Sequence, residues 1–73
     1  MLTEYDLGLL KAGMIYADQL ADLSYKSGMF IMVGPSGIHS LHGDTTDLER
    51  LNAHWAGFCA DTRNHYAKPM VLA

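Results

Sequence analysis

The segment Met29–Val33 (Met-Phe-Ile-Met-Val) places five apolar residues in succession within a chain of 73. On a strand, alternate side chains point to opposite faces, so this run is apolar on both and calls for cover on both. A chain this short lies near the lower limit at which an unassisted core outweighs chain entropy. The second cover is therefore expected from another molecule, and self-association is the first expectation the sequence raises.

The same run opens a clear local motif. Gly34-Pro35-Ser36-Gly37 follows it and Ile38–His42 comes next, a strand–turn–strand pattern. Pro35 presets the first corner of a type I turn, and Gly37 supplies the left-handed residue that closes a three-residue hairpin loop. A lone hairpin is marginal in water and leaves its edges unpaired, so pairing with a second copy would complete a four-stranded sheet.

Upstream, Thr3 with Asp6 three residues later resembles a capping box, and helical spacing runs from there to about Tyr25, with Gly28 as the stop. Glu4, Lys11, Asp18, Gln19, Asp22 and Lys26 fall on one narrow polar face. Leu7, Leu10, Met14, Leu20 and Leu23 belong to an apolar arc wider than a surface helix needs, which implies cover from more than one side. Met14 is expected to fill core.

Downstream, Thr46 and Glu49 form a second capping box, and the helix they open is expected to reach about Lys68, before Pro69. Leu48, Leu51, Trp55, Phe58, Cys59 and Tyr66 make its core stripe. Ala53, Ala56, Ala60 and Ala67 make a stripe of small residues beside it, and such a stripe permits close approach of another helix. Phe30, Met32, Ala53, Ala56 and Ala60 are therefore the residues expected at a self-association interface. Met70–Ala73 is an apolar tail that frays unless docked. The chain thus reads as one α+β domain over residues 1–73, in the order αββα: an antiparallel hairpin packed with two helices, its sheet or helix surface continued in a homodimer.

Composition narrows the function. Net charge is −3, and Lys11, Lys26, Arg50, Arg63 and Lys68 are scattered. Phosphate-backbone binding needs cations gathered on one face, so no nucleic-acid partner is expected. Cys59 is the single cysteine, which excludes an intrachain disulfide and fits a reduced, cytoplasmic setting. No basic-then-apolar leader and no membrane-spanning run is read, so no membrane partner is expected. No nucleophile-elbow, zincin or Walker-type string occurs, and neither catalytic residues nor a cofactor are expected.

The histidines offer little convergent chemistry within one element. His39, His42 and Asp44 have ligand character, yet residues three apart on a strand face opposite ways, and no metal site is assigned. His54 and His65 are separated by about 16 Å of helix. His65 is expected to pair with Asp61 one turn earlier, and Cys59 to pack as a small hydrophobe. The glycine-rich turn and the helix opening at Thr45-Thr46 are the candidate anion sites.

Two functions follow. The first is a non-enzymatic interaction protein that forms a homodimer and regulates a larger protein, as an accessory inhibitor of microbial or phage origin would. The alternative is a small oligomer holding an anionic metabolite or nucleotide between subunits, through Ser36, His39, His42 and Arg50.

Overall fold

The computed structural model describes residues 1–43 and 48–65. Expectations resting on Asp44, Thr45, Thr46, Tyr66, Ala67, Lys68, Pro69 and the Met70–Ala73 tail lie outside those residues. The order of elements is α1 (Glu4–Lys11), β1 (Tyr16–Asp18), β2 (Ala21–Lys26), β3 (Met29–Gly34), β4 (Gly37–His42), α2 (Leu48–Ala60) and a 3-10 turn at Thr62–Asn64. The strands form one antiparallel sheet in the order β1-β2-β3-β4, and the fold is α+β.

The expected hairpin is β3–β4, paired from Met29 opposite His42 to Gly34 opposite Gly37. Both helices are present. The first is shorter than its periodicity implied. It begins as expected, with the Thr3 hydroxyl accepting from the Asp6 N–H and Asp6 Oδ2 accepting from the Thr3 N–H at 2.8 Å. It ends at Lys11 because Gly13 takes φ +99°, a conformation without penalty for glycine. The Gly13 N–H donates to Leu10 O and the Met14 N–H to Leu9 O, each at 3.0 Å, and these two bonds close the helix as a Schellman motif.

Residues 16–25, expected as helix, belong instead to β1, β2 and the turn between them. Ala21-Asp22-Leu23-Ser24-Tyr25-Lys26 alternates apolar and polar residues, which is the period of a half-buried strand. Ser27 and Gly28, both at positive φ, form the two-residue turn into β3. The apolar arc was too wide for one helix because two periods, one helical and one of two residues, had been superposed. Its polar stripe dissolves with it, and Met14 lies 57% exposed rather than in the core. The four strands that a second copy was expected to complete are supplied by this chain alone.

The helices cover one face of the sheet. Leu23, Phe30, Met32 and Leu41 point to that side and meet Leu2, Leu7 and Leu10 around α1 and Leu51 and Trp55 of α2. Asn52 fastens the N-terminal end onto α2, accepting from the Leu2 N–H at 2.7 Å and donating to Leu2 O at 2.9 Å.

The second helix stops at Ala60 rather than near Lys68. Asp61 adopts an extended backbone and its carboxylate accepts from the Arg63 N–H, a local bond that competes with helical continuation. Asn64 is thereby fully buried. Its Oδ1 accepts from the Ser36 N–H at 3.0 Å, and its Nδ2 donates to Ser36 Oγ and Phe58 O. Its backbone O accepts from the Leu20 N–H at 2.9 Å. One residue thus ties the end of α2 to both the β1–β2 and β3–β4 turns. Gly34 makes room for it: a β-carbon there would lie 2.5 Å from Asn64 Oδ1.

Candidate functional site

The face of the sheet turned away from the helices is built by the alternate residues of the same strands. Across it, Val33 lies between Asp22 and Ile38, Ile31 between Ser24 and Ser40, and Met29 between Lys26 and His42. Met29 and Ile31 are half-buried, while Val33 is 41% and Ile38 76% exposed. The result is an apolar centre along β3 and β4 with an acid and a base at opposite ends of β2. Met29, Ile31, Val33 and Ile38 all stand outside the buried core cluster on the other side of the sheet.

The residues expected at a self-association interface divide accordingly. Phe30 and Met32 are sealed in the chain's own core at 1% and 0% exposure, because their parity on β3 turns them toward the helices. They are unavailable to a second molecule. Met29, Ile31 and Val33, from the same apolar run, occupy the accessible side instead. Ala53, Ala56 and Ala60 are exposed on α2. Ala53 and Ala56 border an apolar recess of about 500 Å³ that Leu2 and Leu48 also line.

The candidate ligand residues are likewise separated. Ser36 and His39 line a recess of about 360 Å³ together with His54 and Asp61, whereas Arg50 does not line it. His42 takes the sheet position opposite in parity to His39, as strand alternation requires. The Ser36 N–H is spent on Asn64 Oδ1, while Ser36 Oγ accepts from Asn64 Nδ2 and keeps its own O–H to donate. This leaves the turn with less donor capacity for an anion than its glycines suggested.

Sequence spacing missed the pair that does converge. Nε2 of His39 on β4 and Nδ1 of His54 on α2 are 3.2 Å apart. No local pattern could signal this, since fifteen residues and two different elements separate them. Asp61 pairs with Arg63 rather than His65, with Arg63 Nη2 2.8 Å from Asp61 Oδ2. The hydrogen bonds from the Arg63 side chain and N–H hold the Asp61 carboxyl well below its ordinary range, at about 2. His65 Nε2 lies 2.6 Å from Cys59 O, a bond made possible by the early end of α2.

Cys59 sits partly buried beside Asp18, Tyr16 and Trp55. Burial first, then the charge and hydrogen bonding of Asp18, push its thiol up to about 11. A nucleophilic thiol needs the opposite environment, since the thiolate is the reactive form.

Set against known proteins, the chain matches no protein family, no curated protein and no solved structure. Among the described residues, no helix is long and apolar enough to cross a membrane.

Proposed function

We propose that this protein is a non-enzymatic interaction module that pairs with a second copy of itself through the open face of its sheet, and that the dimer regulates a larger protein. The observation that carries the reading is the apolar centre of half-buried Ile31 with exposed Val33 and Ile38, on a domain whose other sheet face packs against its helices. Exposed apolar clusters on small domains mark contact surfaces. Face-to-face packing of two sheets, about 10 Å apart, is the ordinary way such a surface is covered.

A second copy suits this face through its charges. A two-fold axis lying between the sheets and perpendicular to the strands sets Asp22 of each copy against Lys26 of the other, because these residues occupy the two ends of one face of β2. Complementary charges at a rim fix orientation more than they add affinity. The α2 surface bearing Ala53, Ala56 and Ala60 stays outside this dimer and is the side presented to a larger protein.

The test is the mass in solution from about 1 µM to 1 mM, a range that spans weak and moderate dimers. A dimer is expected for the natural sequence and a monomer for the Val33→Asp, Ile38→Asp double variant, with unchanged circular dichroism. A natural sequence that stays monomeric throughout overturns the proposal. So does a dimer that the double variant keeps.

A further inference from the structure

We infer that His39 and His54 form a two-nitrogen site for a divalent transition-metal ion of the zinc, nickel and copper group, clamping β4 to α2. The site lies on the helix side of the sheet, so it stands independently of any dimer on the open face.

Geometry carries the inference. The facing nitrogens, His39 Nε2 and His54 Nδ1, are 3.2 Å apart, with ring planes within 18° and ring centroids 5.3 Å apart. The nitrogens are much closer than the centroids, so the rings meet nitrogen to nitrogen. Two imidazoles on one tetrahedral zinc, at Zn–N distances of about 2.0–2.1 Å, hold their nitrogens about 3.3 Å apart. The observed 3.2 Å is within about 0.1 Å of that value.

The backbones beneath the rings are independently fixed. His39 is locked in register opposite Met32, which is buried, and His54 immediately precedes the buried Trp55. A chelate between a paired strand and a packed helix is therefore preorganised, and binding spends little on ordering its ligands. His39 is exposed and His54 half-exposed at the edge of the 360 Å³ recess, which gives an ion access from solvent.

The chemistry of the donors selects the ion. Neutral imidazole suits zinc, copper and nickel, whereas calcium and magnesium require oxygen ligands. Asp61 shares the recess, but its carboxylate is held by Arg63. The described residues therefore supply two nitrogens, and water fills the remaining positions. In the metal-free pair, one facing nitrogen carries a proton and donates to the other. On binding, that proton passes through solvent to the outer nitrogen of the same ring, both facing lone pairs bind the ion, and no net proton is lost.

Zinc chloride titrated into chelator-treated protein at about pH 7.5, above the ordinary imidazole range, provides the test. The melting temperature is expected to rise by about 5–10 °C at a tenfold excess over the dissociation constant. His39→Gln and His54→Gln should each weaken binding at least about tenfold, and copper should bind more tightly than zinc or nickel. In the natural sequence, the ring resonances of His39 and His54 should move with zinc while those of His42 and His65 stay in place. This second reading needs no substitution. No saturable binding, binding that both variants retain in full, or resonance changes confined to His42 and His65 would each overturn the site.

Discussion

The two faces of the sheet draw on the same apolar run of β3 and meet opposite fates. Phe30 and Met32 disappear under α1 and α2, whereas Ile31 and Val33, one residue removed along the strand, face outward beside Ile38. Hydrophobicity alone does not distinguish the faces. What distinguishes them is where the two helices fit, and one layer of helix can cover one side of a sheet. The comparison teaches that an apolar run in a small domain can place one parity in the core and leave the other on an open face.

The largest expected effect lies on the closed face. Phe30→Ala should cost about 3–5 kcal/mol through lost burial and the cavity left behind. That is comparable with the whole stability expected for a domain of this size, roughly 0.05–0.15 kcal/mol per residue. Urea unfolding should therefore show a largely unfolded variant, while Ile38→Thr on the open face should stay within about 0.5 kcal/mol when measured at dilution where no dimer forms. Equal costs at the two positions would erase the distinction between the faces.

Asn64→Ala comes next. It leaves the part-buried Ser36 N–H without its side-chain partner, at a cost of about 1–3 kcal/mol, while Phe58 O keeps the Asp61 N–H at 3.3 Å. A chemical-denaturation midpoint unchanged from the natural sequence would show that Asn64 does not seal the end of the closed face. Gly13→Ala should cost about 1 kcal/mol, because alanine resists the positive φ that ends α1 and lets the chain turn into β1. Its thermal midpoint should fall by several degrees.

The smallest effect on stability concerns the rim of the closed face, at Cys59. Moving a thiol from 9.0 to about 11 reduces the thiolate near neutral pH about a hundredfold, so alkylation by iodoacetamide should be slow and should accelerate in Asp18→Asn. The sign for stability follows from the same shift. A thiol whose folded value is raised contributes fully below its ordinary range, and the contribution is lost as pH rises through about 11. Rapid alkylation of the folded protein at neutral pH would contradict the burial of this side chain.

Several parts of the fold were legible in local chemistry. The Thr3–Asp6 cap, the hairpin around Pro35 and Gly37, and the core stripe through Leu51 and Trp55 each depend on neighbours within a few residues, where dihedral preferences and periodicity act directly. The strands at 16–26 were legible as well, in the basic Lys11 followed by Gly13 and in the alternation from Ala21 to Lys26. Their signal was overridden by a helical period that the leucines satisfy by coincidence. The recess was not legible. His39, His54, Ser36 and Asp61 come from a strand, a helix, a turn and a helix end, and nothing in their spacing records that these elements meet.

By itself, then, the sequence determined that this is a small α+β domain whose central run is apolar on both faces of its strand, because side-chain alternation and turn chemistry are properties of the chain at short range. Tertiary structure decided which side the helices took, that the chain completes its own four strands, and that a buried Asn64 and a facing pair of histidines exist. Those depend on packing between segments far apart in sequence, and that packing is set by the shape and volume of the whole core.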